Sequence, residues 1–233
     1  MKGIYKKIKD NYYVLSLTDK LILWLRFNAV PVRKLLDIFP VKKGKLLDLG
    51  CGHGFISYLF AWSNPDLKVI GIDPSKERIE FANNVHSKPT NLDFKEGKVA
   101  SLSENDFDVV LAVEVFYLMS EKEMRETLRV CHKKTKNTGV LIIKTMNRSH
   151  AFRYLVSITV SHLIARLIRI FGNTGKLFGS RKASPRYYYP AEITKILKET
   201  GWLVRAIYDM PLRFFWYPNI IYYCEKSNAT KKS

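Results

Sequence analysis

The sequence predicts a doubly wound α/β fold, with a mostly parallel, seven-stranded sheet covered by helices on both faces. Three observations predict it. Seven short apolar segments read as strands, most of them alternate with amphipathic stretches of helical period, and three glycines follow the first strand within five positions. At 233 residues and 47% hydrophobic side chains, the chain is long enough for one α/β domain with additions and a real core.

The elements follow in order. KLLDL (45–49) reads as a buried strand, and FISYLFAW (55–62) as the helix after the glycines. KVIGID (68–73) is a second strand; PSKERIEFANNV (74–85) opens on Pro and Ser, which suit a helix start, and repeats Ile79 and Ala82 at helical spacing. NLDFK (91–95) is a short strand, FDVVLAV (107–113) a strong one, and EKEMRETLRVCHKKT (121–135) a charged helix. Asn137 and Gly139 are expected to turn the chain into VLIIKT (140–145). Near the end, AEITKILKET (191–200) follows Pro190 at a helix-start position and stops at Gly201. WLVRAIYD (202–209) and IIYYCE (220–225) complete the strands. Strands separated by helices argue a parallel sheet covered on both faces.

Charge divides the chain. Residues 46–126 carry 8 Lys/Arg and 14 Asp/Glu, whereas residues 1–45 carry 11 and 3, and residues 127–191 carry 13 basic side chains and no acid. The formal net charge is +18, so the glycine motif lies in an acidic part with basic flanks. Such asymmetry points to an anionic partner, a membrane surface or nucleic acid. No apolar run approaches the ~20 residues that span a bilayer, and no signal peptide is read at the basic N-terminus. Cys51, Cys131 and Cys224 are few and far apart, which suits a reducing compartment, and the expected location is cytoplasmic.

The motif LLDLGCGHGF (46–55) raises the question of what approaches its bare backbone. A dinucleotide fingerprint needs a small sixth residue, and Phe55 is too large; a Walker loop needs Lys-Ser or Lys-Thr, and neither follows. What remains is D-x-G-x-G-x-G led by Asp48. Here the sequence resembles the class I S-adenosylmethionine-dependent methyltransferases, whose first motif is an acidic residue before a glycine-rich turn. An acidic residue at the end of the second strand, Asp73, can accept ribose hydroxyls, and the resemblance carries it to that role; the same carboxylate could cap the helix beginning at Pro74. FDVVLAVEVF (107–116) resembles the family's fourth motif, beside the transferable methyl. The resemblance covers residues 35–145 well and implies a cofactor site at Asp48, Gly50, Cys51, Gly52, Gly54, Asp73, Pro74, Gly97, Lys98 and Glu114, with no metal. His53, inside the turn, is expected to shape that site.

There is one departure. Where family members often read Gly-Asp-Ala, this chain has Gly97 and Lys98. An ammonium only donates, so the adenine amino group is left to a backbone carbonyl or to Glu96.

The acceptor is read from what is missing. The Pro-Pro motif of base N-methyltransferases is replaced by AVEVFYLM, no cysteine has the setting of a cytosine C5 nucleophile, and no RNA-binding module is recognised. That favours a small-molecule or lipid-linked acceptor. A methyl transferase of RNA using the basic flanks, or a non-catalytic nucleoside-binding or membrane-associated scaffold, are the alternatives. For an oxygen acceptor that needs a base, His150 after the fifth strand, Glu114 at the end of the fourth and Tyr117 are the candidates.

The expected layout is one domain: a basic helical extension (1–44), a cofactor half (45–146), a basic helical cap (147–190) and a final helix and strands (191–226). In the cap, His162, Arg166 and Arg169 make one stripe of the helical stretch 151–172. Lys176, Arg181, Lys182 and Arg186 follow among aromatics, and the stretch 12–27 has a similar make-up. Such an amphipathic helix can rest on an anionic bilayer; arginines beside aromatics equally suit RNA stacking.

Overall fold

The computed structural model describes residues 30–150, 186–210 and 218–227, with Lys6, Lys7, Asp10, Leu155, Val156 and Thr159 as single positions. The basic stripe of His162, Arg166 and Arg169, the loop residues Lys176, Arg181 and Lys182, and the stretch 12–27 lie outside the described residues.

The seven expected strands are β1 (Gly44–Leu49), β2 (Leu67–Asp73), β3 (Leu92–Glu96), β4 (Phe107–Val113), β5 (Thr135–Met146), β6 (Trp202–Met210) and β7 (Asn219–Lys226). The described helices are α1 (Val32–Asp37), α2 (Phe55–Ser63), α3 (Lys76–Asn83), α4 (Glu121–Lys134) and α5 (Pro190–Glu199). One sheet forms in the order β3-β2-β1-β4-β5-β7-β6. The pairs among β1 to β5 are parallel, and β7 runs antiparallel to both β5 and β6. The chain leaves β1 outward through β2 and β3, then returns to β4 on the other side of β1. That reversal opens a crevice at the carboxyl ends of β1 and β4, where open α/β sheets bind ligands.

Alternate strand residues point to opposite faces. Leu46, Val69, Val109, Leu111 and Ile142 join Tyr58, Leu59 and Phe60 of α2 in one core layer. Leu47, Ile70, Val110, Leu141 and Ile143 join Met124 and Leu128 of α4 and Ile193, Ile196 and Leu197 of α5 in the other. Both faces being covered is why these strands read as apolar runs rather than alternations.

Helix starts follow local chemistry. α4 has a capping box: Ser120 Oγ accepts from the Glu123 amide at 3.3 Å and Glu123 Oε2 from the Ser120 amide at 2.9 Å. Pro190 is the first residue of α5, as expected. The helix expected from Pro74 starts two residues later, because Ser75 is its cap, accepting from the Arg78 amide at 3.4 Å. The turn expected at Asn137 and Gly139 is a bulge inside β5. Phe107 pairs with Thr135 and Val109 with Val140, so residues 136–139 face Asp108 alone. A Cβ at Gly139 would lie 2.7 Å from the Phe107 carbonyl oxygen, which only glycine avoids.

Candidate functional site

The turn after β1 is sewn to the end of β2. The amides of Gly50 and Cys51 both donate to the Ile72 carbonyl, at 2.8 and 3.0 Å. Gly50, Gly52 and Gly54 have φ of +68°, +55° and +82°, a region that side chains disfavour. Their surroundings differ. A Cβ on Gly50 would lie 2.3 Å from Val115 Cγ2, and one on Gly54 2.5 Å from Phe94 Cζ, whereas one on Gly52 would meet nothing within 4 Å. Two of the glycines allow close packing; the middle one presents bare backbone to open space.

Two carboxylates organise this turn. Asp48 is buried and accepts from Ser57 Oγ at 2.5 Å. Burial pushes its carboxyl from the ordinary 3.8 to about 7, against the Ser57 hydrogen bond and with a smaller push from the charge of Asp73. Asp73 is buried too. Its Oδ2 accepts from the Gly52 amide at 3.0 Å, its Oδ1 from the Ser75 amide at 2.9 Å, and the Arg78 guanidinium stands 3.8 Å away. Asp73 is therefore not the helix cap; it braces both the glycine turn and the residue that caps α3. An ionised carboxylate has about four acceptor positions, so Asp73 keeps capacity for a ribose hydroxyl.

Cys51 lies beside these acids. Burial first, then Asp48 and Asp73, raise its pKa well above the usual thiol range, so it stays a neutral thiol. His53 is buried with its ring edge-on to Phe81 at 5.0 Å and stacked near Phe55 at 6.1 Å. Pro74 is exposed. The Gly97 amide donates to the Asp73 carbonyl at 3.0 Å, with φ at +136°. Lys98 and Glu96 are both exposed, and the Lys98 ammonium lies in the field of Glu123.

Glu114 ends β4 with φ at +57°, and its amide donates to the Lys144 carbonyl at 2.9 Å. The buried Lys144 ammonium donates to Glu114 Oε1. Burial drives the Lys144 pKa down, and Glu114 opposes that shift. Tyr117 is buried, with its ring stacked on Tyr187 at 4.7 Å and Leu118 and Met146 alongside. His150 Nε2 donates to Asp209 Oδ2 at 3.0 Å, the same oxygen that accepts from Asn147 Nδ2 at 3.3 Å. Asp209 lies near the end of β6, three strand spacings or ~14 Å from β4. The three candidate catalytic residues thus divide between the β4 end and the far side of the sheet.

Sequence reasoning missed Ser57, Arg78, Lys144 and Asp209. Lys144 had a signal, a charge inside the apolar run VLIIKTM. Asp209 had none.

S-adenosylmethionine fits these residues. Asp48, Gly50, Cys51, Gly52 and Gly54 could line a crevice for a polar, cationic ligand, Asp73 could take a hydroxyl, and Gly97 with Lys98 could flank the base. The comparisons with known proteins agree. A family described as Methyltransferase domain matches residues 40–204, from before β1 into β6. The rat mitochondrial ubiquinone biosynthesis O-methyltransferase is 29% identical over 188 residues, covering 76% of this chain and 50% of the rat protein. The ubiquinone biosynthesis O-methyltransferase of Azorhizobium caulinodans is 26% identical over 184 residues, covering 76% and 67%. The chain thus spans about half the length of the first of these relatives. Among solved structures, the magnesium protoporphyrin IX methyltransferase of Synechocystis, with bound SAH, superposes with a TM-score of 0.58. It has 21% identity and covers 84% of this chain and 80% of that one. The crevice at the strand reversal, its glycine turn and a match that runs through most of the sheet place the chain in one family: it belongs to the class I S-adenosylmethionine-dependent methyltransferases.

Proposed function

We propose that this protein methylates a hydroxyl oxygen on an aromatic acceptor carrying an apolar, lipid-like tail. The observation that carries the reading is Glu114. It stands at the tip of β4, and its neighbour Val115 packs on Gly50 of the turn. Glu114 Oε2 is buried without a hydrogen-bond partner among the described residues. A hydroxyl would supply the missing donor. The small apolar cluster of Tyr117, Leu118, Met146 and Tyr187, which begins three residues after Glu114, suits a greasy acceptor. The similarity to O-methyltransferases of ubiquinone biosynthesis supports the same chemistry.

S-adenosylmethionine supplies an already activated methyl group on a sulfonium. The chain then has to orient the acceptor, exclude water and take up one proton. Orientation supplies much of the rate in such transfers. Glu114 Oε2 holds the hydroxyl and receives its proton as the oxygen becomes methylated. His150, held by Asp209 near the end of β6, is the other candidate base. Glu114→Gln keeps shape and removes the charge. It is expected to lower turnover of dodecylcatechol by roughly 10²–10⁴-fold, the usual scale for a positioned base, while binding of S-adenosylhomocysteine holds. Turnover of dodecylcatechol at the wild-type rate by Glu114→Gln would remove Glu114 from this role. A wild-type protein that methylates no phenol or catechol overturns the reading.

A further inference from the structure

Lys144 is placed where a lysine is hardest to explain. It lies in β5, in the middle of the sheet, and its side chain is 0% exposed. Leaving a lone ammonium there would be strongly unfavourable, so the fold pairs it. The pairing is double: the Lys144 ammonium donates to Glu114 Oε1, and the Glu114 amide donates to the Lys144 carbonyl at 2.9 Å. Buried ion pairs are often no better for stability than apolar residues of the same volume. Every neighbour of Lys144 along β5, Ile142, Ile143, Thr145 and Met146, is itself buried.

The remainder of the arrangement is also unfavourable for a purely structural role. Glu114 holds a left-handed φ of +57°, which non-glycine residues rarely adopt outside sites where it is enforced. Its second oxygen, Oε2, lacks a hydrogen-bond partner among the described residues although it is buried. Strain, a buried ammonium and an unsatisfied acceptor meet at the Glu114–Lys144 pair, immediately before the valine that packs on the glycine turn. These costs are accounted for together if a ligand donor completes the set.

We propose that Lys144 is a positioning residue for the methyl acceptor: by clamping Glu114 Oε1 it holds Oε2 in place for the acceptor's hydroxyl. Lys144 itself touches neither acceptor nor cofactor. The assignment rests on the oxygen-acceptor reading given above.

The test uses the full chain, S-adenosylhomocysteine as the cofactor probe in calorimetry and dodecylcatechol as the acceptor probe in turnover. Lys144→Met is expected to lower kcat/KM for dodecylcatechol by about tenfold or more, the scale of a lost charged hydrogen bond. Its affinity for S-adenosylhomocysteine stays within about threefold of wild type, the spread of uncoupled sites. A merely structural lysine would not split acceptor turnover from cofactor binding in this way. Because a single change leaves one charge unpaired, Lys144→Met is also combined with Glu114→Gln, which removes both charges and nearly keeps the volume. The double variant should fold, bind S-adenosylhomocysteine like wild type and turn over dodecylcatechol no faster than Glu114→Gln alone. Turnover within about threefold of wild type in either lysine variant overturns the assignment. So does parallel loss of cofactor and acceptor binding in the folded double variant. If the wild-type protein methylates no dodecylcatechol, the oxygen-acceptor reading falls and takes this assignment with it.

Discussion

Replacing Gly52 by alanine separates the backbone's own needs from those of a ligand. At φ +55° an alanine is held in the left-handed region, which costs roughly 1–2 kcal/mol. No steric cost is added in the free protein, since the new Cβ meets nothing within 4 Å. For a domain of this size that strain lowers Tm by about 2–8 °C. The same methyl stands in the crevice, where a ligand at backbone distance must give way. S-adenosylhomocysteine is therefore expected to bind about tenfold or more weakly, ~1.4 kcal/mol. Gly50→Ala is the control. Its Cβ would lie 2.3 Å from Val115 Cγ2 and 3.0 Å from Val115 Cβ, so turning the valine does not relieve the clash. Overpacking adds about 1–3 kcal/mol to the strain, and Gly50→Ala should melt well below Gly52→Ala. Thermal unfolding with and without S-adenosylhomocysteine, followed by calorimetry at a temperature where both variants are folded, reads each term. A Gly52→Ala protein that melts lower yet binds S-adenosylhomocysteine with wild-type affinity would show that the open face of the turn is not the cofactor's seat.

Three further outcomes are expected. Asp48 holds its proton in the folded state up to about pH 7, whereas the unfolded chain loses it near 3.8, so this group makes stability fall as pH rises through that window. The full shift amounts to on the order of 4 kcal/mol. Denaturant unfolding of Asp48→Asn should lack that decline, and an unchanged slope would contradict it. Asp73→Ala should weaken S-adenosylmethionine by roughly 1–3 kcal/mol in calorimetry, since a charged acceptor and the brace on Gly52 go together; undiminished affinity in a folded variant rules out the ribose role. We propose an anionic bilayer as the resting surface of residues 147–190, which carry 8 Lys/Arg and no acid. Co-sedimentation with vesicles containing anionic lipid should be weakened by salt but not abolished, and several-fold by Arg166→Glu with Arg169→Glu. Tight, steeply salt-dependent binding of structured RNA with no vesicle association would favour the RNA reading instead.

The strands were legible because both faces of the central ones are buried, so KLLDL, FDVVLAV and IIYYCE are apolar over most of their length. The glycine turn and Asp73 were legible because unusual φ and a strand-end acid leave marks within a few residues. Three features left weaker marks. The bulge at 136–139 looked like a turn, because its Asn and Gly serve either geometry. Asp73, Pro74 and Ser75 each suit a helix start, so the sequence did not single out Ser75 as the cap. The Glu114–Lys144 and His150–Asp209 pairs span 30 and 59 residues, and nothing local in a sequence reports a partner so far away. Pairings of that kind follow from strand order, which periodicity does not encode.

The antiparallel β7 sits between two strands that both precede it in the chain. During synthesis, β1 to β5 can assemble as soon as residue 146 has emerged, with the crevice between β1 and β4 already formed. β6 has no neighbour to pair with until residues 219–226 appear and slide in between, joining Met146 and Met210 to the same Asn219. The nascent protein can therefore acquire a cofactor crevice before it acquires the His150–Asp209 side, and a ribosome stalled after β6 would hold a five-stranded sheet in which β5 still lacks its partner β7. Such an edge invites pairing with other chains, so the closing strand protects the protein from its own assembly order.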